Sequence, residues 1–213
     1  MKLTNNLTLD NILASIKSSY KQKFSKQQIK ELVEGYKEGI EIRAYADPRI
    51  PDHLMYPIRY ALRDFGNPSD YEEFRKRIVK YIKDGYHMGQ VTELANGLLS
   101  GVDVSLYEDS SLNSLAMSTI RKNLERGVDV SSYARQRFYI SQVEEIADGL
   151  HLGLDVSCYA NKDFTPQQMR LIRIGLEEGL DAKQYADPTL GEVEMFFKLD
   201  ELRHPIVIGG DYT

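Results

Sequence analysis

The heptapeptides GVDVSLY (101–107), GVDVSSY (127–133) and GLDVSCY (153–159) recur at a step of 26 residues, and GLDAKQY (179–185) continues the series. Upstream, GIEIRAY (39–45) and FGNPSDY (65–71) are looser copies, and Tyr71 again follows Tyr45 by 26 residues. From Tyr71 to Tyr107 the step is 36, so something is inserted there; YHMG (86–89) reads as a partial extra helical half-unit. Self-similarity at a fixed period of this length marks an array of stacked supersecondary units.

Working outward from each heptapeptide, the preceding stretch carries apolar residues at helical spacing. Phe138, Val143, Ile146 and Leu150 form one such row, Phe164, Met169, Ile172 and Leu176 another, and Phe24, Ile29, Leu32 and Tyr36 a third. Steps of three and four place each row on one helix face. Thr165-Pro166-Gln167-Gln168 has the composition of a capping box with a first-turn proline, and Ser25 with Gln28 repeats the box, Phe24 being the staple residue.

Each long helix is predicted to close on a glycine, at Gly39, Gly101, Gly127, Gly153 and Gly179, because glycine enters the left-handed region at low steric cost. Two residues on, Glu41, Asn67, Asp103, Asp129, Asp155 and Asp181 are read as N-caps of a second, short helix, with Asn67-Pro68 as a cap followed by a first-turn proline. The tyrosines Tyr45, Tyr71, Tyr107, Tyr133, Tyr159 and Tyr185 are expected to pack the short helix on the long one with their hydroxyls reaching the surface. Gly35, Gly97, Gly149 and Gly175 sit four residues before a capping glycine. A mid-helix glycine costs about 1 kcal/mol against alanine, so its repeated use implies a close backbone approach, expected from the next unit's helix.

A unit of this kind cannot bury its apolar face alone, and stacked neighbours make one continuous core. The fold class expected is therefore all-α, an α-solenoid-like array of helix–loop–short-helix repeats. The organisation expected is a single repeat domain over 1–213: an N-terminal cap at 1–23 containing a helix from Thr8 to Tyr20, an irregular first half at 24–89, regular repeats at 90–190, and a C-terminal cap and tail at 191–213. In that cap Val193, Phe196 and Leu199 keep the framework spacing, and PIVIGG from Pro205 is read as a short strand or an extended arm.

Composition narrows the function classes. The chain has 213 residues, 42% hydrophobic and 28% charged, which suits a folded soluble protein. The 27 basic and 32 acidic residues give a formal net charge of -5, so a basic nucleic-acid footprint is not the default. A single cysteine, Cys158, excludes an intrachain disulfide and a cysteine-based zinc site. The N-terminal MKLTNNLTLDN lacks the apolar run of a signal peptide and no stretch is long enough for a membrane span, so a cytoplasmic location is expected.

FTPQQMRLIRIGLEEGLDAKQYADP (164–188) resembles the units of helical-repeat proteins encoded by mobile elements of Gram-positive gut bacteria. The resemblance runs over roughly residues 24 to 200. It implies a setting, a mobile element in a bacterial cytoplasm, and brings no catalytic residues with it.

No catalytic set stands out. His53, His87, His151 and His204 show no metal-ligand spacing, and His87 and His151 are assigned the same outer helix position. Glu144-Glu145 and Glu177-Glu178 are adjacent acids on polar helix surface, unlike carboxylates facing each other across a cleft. Ser105, Ser131 and Ser157 have no recurring histidine to serve as base, so capping support explains them better than nucleophilic chemistry. No metal, cofactor or enzymatic activity is expected.

In a repeat array the positions outside the framework are free to specialise. Tyr56, Pro57, Arg59, Tyr60 and Arg63 break the polar filling of the outer positions in the second unit, and Leu99, Leu152, Leu171, Ile174, Met195 and Phe197 are further nominally outer apolar residues. Tyrosine and arginine are favoured at protein interfaces, which makes Tyr56, Arg59, Tyr60 and Arg63 the candidate binding residues. The function expected is a non-catalytic interaction scaffold or inhibitor, its partner a protein of the host or of the mobile element. The alternative is a nucleic-acid-binding accessory protein using Arg59, Arg63, Arg75, Arg77, Lys80 and Lys83 on phosphates; a third reading is an enzyme whose residues converge from distant units.

Overall fold

The computed structural model describes residues 9–20 and 22–205. Among them every regular element is helical. The elements are α1 (Leu9–Ser18), α2 (Lys26–Lys37), a 3₁₀ turn (Ile42–Ala44), α3 (Asp52–Phe65), α4 (Tyr71–Lys83), α5 (Met88–Ser100), a 3₁₀ turn (Val104–Leu106), α6 (Ser114–Glu125), α7 (Ser131–Arg135), α8 (Ile140–His151), a 3₁₀ turn (Val156–Cys158), α9 (Pro166–Glu177), a 3₁₀ turn (Ala182–Gln184) and α10 (Glu192–Arg203). The all-α repeat expected from the 26-residue step is what the chain adopts.

The chain forms two compact units, residues up to Arg121 and residues from Lys122 on, and the division falls within α6. In the first unit α3 packs on α2 and α5, while α4 packs on α5 and on the Ile42–Ala44 turn. Its core includes Leu32, Ile42, Ile50, Met55, Ile58, Ile78 and Val91, and α1 adds Leu13 and Ile16. In the second unit α8 packs on α7 and α9, and α9 on α10, around Val143, Ile146, Met169 and Ile172. PIVIGG lies outside the described residues beyond its first proline.

Most start and stop signals act as expected, but Asp181 makes no side-chain cap bond to its turn, and Val130 instead of Asp129 stands at the N-cap of α7. Ser25 and Thr165 make complete capping boxes with Gln28 and Gln168. Gly39, Gly101, Gly127, Gly153 and Gly179 all have φ between 73° and 81°. The same glutamine position does more than cap. The Nε2 of Gln28, Gln90, Gln142 and Gln168 each donates to two carbonyls of the loop 20 and 22 residues further on, at 2.6–3.2 Å. Each side chain thus satisfies an orphan N–H of its own helix and fixes the loop that leads into the next one.

Four expectations are corrected. Four of the six repeated tyrosines do not reach the surface: Tyr45, Tyr107, Tyr159 and Tyr185 are buried, and each hydroxyl donates to a carbonyl of its own long helix 14 residues earlier, at 3.0–3.2 Å, while Tyr71 and Tyr133 are half-buried. Burial pushes the hydroxyls of Tyr45 and Tyr159 up, and that of Tyr185 to about 12. The mid-helix glycines are approached by these hydroxyls of their own unit. A β-carbon at Gly35, Gly97, Gly149 or Gly175 would lie 1.8–2.1 Å from the hydroxyl oxygen. Asn67-Pro68 does not cap a short helix. Asp70 caps α4 by accepting from Glu72 and Glu73 N–H, and the Asn67 side chain accepts from Glu41 N–H instead. The insertion is therefore the short helix grown into the 13 residues of α4. His87 is the N-cap of α5 whereas His151 ends α8, so the two do not share a position.

Two kinds of unit alternate along the chain. Glutamates of α2, α5 and α8 (Glu31, Glu93, Glu145) meet arginines of α3, α6 and α9 (Arg59, Arg121, Arg173), each pair 28 residues apart with N–O distances of 2.9–3.3 Å. After α2, α5 and α8 the second element is a 3₁₀ turn, and after α3 and α6 it is an α-helix, α4 or α7. Glu93 and Glu145 lie 52 residues apart, so the structural repeat is a pair of units. The unit built on α9 is mixed: it carries the arginine of one kind but Gln168, Gly175 and, after its 3₁₀ turn, Tyr185 of the other.

Candidate interaction site

One side of α3 gathers two tyrosines and two arginines because its positions 56, 59, 60 and 63 follow steps of three and one. Tyr56 and Tyr60 lie with ring centroids 4.5 Å apart at 42°. The Arg63 guanidinium stacks over the Tyr60 ring at 4.0 Å, a distance at which the ring quadrupole attracts a cation. Arg63 also pairs with Asp64 at 3.0 Å. A side-chain hydrogen bond donated to Tyr60 raises the Tyr56 hydroxyl above its ordinary value. Tyr56 is 49% exposed, Arg63 is exposed and Tyr60 is half-buried.

Arg59 departs from its expected outer position. It is 6% exposed and forms the first rung of the Glu–Arg series, held by Glu31 at 3.3 Å and by Glu38. Burial opposes its charge, but the two carboxylates outweigh that and hold the guanidinium above its ordinary value. Its upper face supports the rings, 5.1 Å from Tyr60 and 5.5 Å from Tyr56. Arg59 therefore positions the two tyrosines from below, leaving Tyr56, Tyr60 and Arg63 at the surface.

The six cations of the nucleic-acid reading are engaged in different directions. Arg59 belongs to the buried pair. Arg77 bonds Glu108 at 2.8 Å, and Lys80 bonds Asp84 at 2.6 Å and approaches Glu108 at 3.6 Å. Arg63 pairs with Asp64, and Arg75 donates to the Arg43 carbonyl against the Ile42–Ala44 turn. Lys83 is exposed. Four of the six thus share their charge with a carboxylate, which weakens them as phosphate ligands.

The remaining outer apolar residues divide. Leu171 and Met195 are buried between helices, Leu99 and Ile174 are half-buried, and Leu152 and Phe197 are exposed. In α10 the buried residues are Met195 and Leu199, while Val193 and Phe196 face outward, contrary to the framework spacing expected for them. The sequence reading missed this outward face because Val193, Phe196 and Leu199 also have helical spacing, and two rows of apolar residues share the helix.

The chain matches no family model, no curated protein and no solved structure. Among the described residues no group of three or more His, Cys, Asp and Glu side chains is placed to hold a metal ion. No helix of these residues is long and apolar enough to cross a membrane.

Proposed function

We propose that this chain is a protein-interaction module of a bacterial cell, docking its partner on the outer face of α3 through Tyr56, Tyr60 and Arg63. The observation that carries the reading is the stacked Tyr56–Tyr60–Arg63 cluster, preorganised from below by the buried Arg59. Tyrosine loses little rotamer freedom on binding, Arg63 is already held over the Tyr60 ring, and both residue types are enriched at interface hot spots. The sequence resemblance adds a setting, a partner encoded by the host or by a mobile element.

The test is affinity capture from a bacterial host lysate, with and without nuclease, using the wild-type chain and a Tyr56→Ala/Tyr60→Ala/Arg63→Ala variant. Arg59 is left in place because its loss would unpair Glu31 and Glu38. A hot spot predicts that a nuclease-resistant partner is lost from the variant, at least about tenfold if two side chains contribute about 1 kcal/mol each. Circular dichroism and melting should stay near wild type. Undiminished capture by a folded variant removes the α3 face from the reading, and nuclease-sensitive capture favours nucleic acid.

A further inference from the structure

We propose that the outward face of α10 is a docking site for an amphipathic helix of a partner protein, apolar along its centre and basic along its flanks. Val193, Phe196 and Phe197 are 69%, 48% and 59% exposed on a helix whose opposite side buries Met195 and Leu199. With Leu171 and Gln167 of α9 and Glu192, Val193 and Phe196 line a shallow groove between the two helices. Nothing among the described residues covers this face.

The repeat register says what fits there. Counting back 52 residues, Val193, Phe196, Phe197 and Asp200 correspond to Ser141, Glu144, Glu145 and Asp148 of α8. In α8 that face receives the following helix: Arg173 of α9 reaches Glu145 at 3.0 Å and Asp148 at 3.9 Å. The face of α10 is thus the one by which a helix of this kind takes its successor, with two changes. Phe197 stands where α8 has the arginine acceptor Glu145, with Phe196 beside it in place of Glu144, so the incoming helix meets an apolar surface there. Asp200 stands where α8 has Asp148, so a cation at the end of the incoming helix keeps its acceptor.

Charge complementarity selects the occupant. Glu192 flanks the apolar row on one side, Glu194 and Glu201 on the other, and Asp200 closes its C-terminal end; all four are exposed. Of the cationic side chains at this end, Arg203 is held by Glu178 at 2.5 Å, the His204 imidazole lies 3.8 Å from Asp200, and Lys198 is half-buried. A second copy of α10 packed antiparallel on the first would set these carboxylates against one another, and like charges juxtaposed in an interface oppose pairing. A helix with lysines or arginines beside its apolar stripe meets an acidic rim instead.

This inference stands apart from the α3 cluster, and its test separates the two. The probes are two fluorescent 18-residue model helices with leucines at i, i+3, i+4 and i+7, one flanked by lysines and the other by glutamates. Anisotropy with the full chain should show the lysine helix binding at least about tenfold more tightly than the glutamate helix, with the preference shrinking as salt is added. A Phe196→Ser/Phe197→Ser variant should lose most of that binding, and Asp200→Lys should weaken it while leaving the apolar row intact. The Tyr56→Ala/Tyr60→Ala/Arg63→Ala variant should bind as wild type does. Both phenylalanines are exposed, so the variant should keep its helicity by circular dichroism. Equal affinity for the two helices, or unchanged binding by the folded Phe196→Ser/Phe197→Ser chain, overturns the proposal. So does a wild-type dimer in sedimentation that the same variant abolishes, which would assign the face to a second copy. An Ile206→Ser/Val207→Ser/Ile208→Ser chain that binds where wild type does not would assign it to the chain's own last residues.

Discussion

Gly175 and Tyr185 show how one hydroxyl decides a residue choice. In a helix, alanine is more stable than glycine by about 1 kcal/mol, so the substitution should help if space allowed. Space does not allow it, because a β-carbon would come within 2.1 Å of the Tyr185 hydroxyl oxygen, and that hydroxyl is held by the Leu171 carbonyl at 3.0 Å. Gly175→Ala should therefore lower stability by about 1–3 kcal/mol, the range for overpacking. Tyr185→Phe alone should cost about 1 kcal/mol for the lost hydrogen bond. In the Tyr185→Phe background the nearest remaining atoms are 3.3 and 3.4 Å away, so Gly175→Ala should become neutral or stabilising. Chemical denaturation of the four chains reads the cycle; an equal cost of alanine in both backgrounds would show that the hydroxyl is not what demands glycine. At Gly149 the sign should not reverse, because Val156 Cγ1 stands 2.9 Å from the added carbon and stays when the hydroxyl goes. The recurrence of these glycines was legible in the sequence. Their cause was not, since a tyrosine ten residues on reads equally well as a surface or a buried group until its hydroxyl is seen to have a carbonyl partner.

Between helices, the Glu–Arg rungs carry both specificity and a cost. The Arg173 and Glu145 side chains are 13% and 18% exposed, and the pair must recover the desolvation of two charges. Removing one partner leaves the other buried and unpaired. Arg173→Leu should accordingly destabilise the chain by about 3 kcal/mol or more, because Glu145 and Glu177 both lose their shared cation. The chain itself offers the repair. At the equivalent positions of α9 and α10 it carries Leu171 and Leu199, both buried. Glu145→Leu/Arg173→Leu should therefore recover most of the loss, and thermal melts of the single and double variants measure it. A double variant as unstable as the single one would mean that the rung is needed for packing and not only for charge balance. This alternation was hidden in the sequence although its residues were in plain view. The heptapeptides advance uniformly by 26, and α9 mixes the features of both unit kinds, so the period of two units emerges only when Glu31, Glu93 and Glu145 are seen to face Arg59, Arg121 and Arg173. The insertion at 71–89 was likewise locatable by its spacing but not by its form, because Asn67-Pro68 competes with Asp70 as a cap and only Asp70 has two N–H groups within reach.

In both units the same buried tyrosines should set the alkaline limit of stability. All-helical architecture and the apolar framework followed from periodicity, whereas the α3 cluster was only half legible: Tyr56, Tyr60 and Arg63 stand at the surface, but Arg59 shares their spacing and turns inward because two carboxylates of α2 and its C-cap await it. Burial has a second consequence for the tyrosines of the framework. It pushes the hydroxyls of Tyr45 in the first unit and of Tyr159 and Tyr185 in the second above the ordinary value of 10.0, Tyr185 to about 12. A group whose pKa is raised by folding binds its proton more tightly in the folded chain than in the unfolded one. Its contribution is fully present below the unfolded value and is lost as pH rises toward the folded one. Stability should therefore hold up to about pH 10, the tyrosine value of unfolded chains, and fall steeply toward about pH 12. Followed by ultraviolet absorbance, phenolate formation should rise in two phases, with the second coinciding with loss of helical ellipticity. Tyr185→Phe should lack the hydroxyl's bond to the Leu171 carbonyl at every pH and remove one proton from the linkage, so its stability should decline less steeply over that range than that of the wild type. A single phase completed while the helices remain intact would show that these hydroxyls ionise in the folded chain, and that their bonds to the helix carbonyls do not hold them neutral.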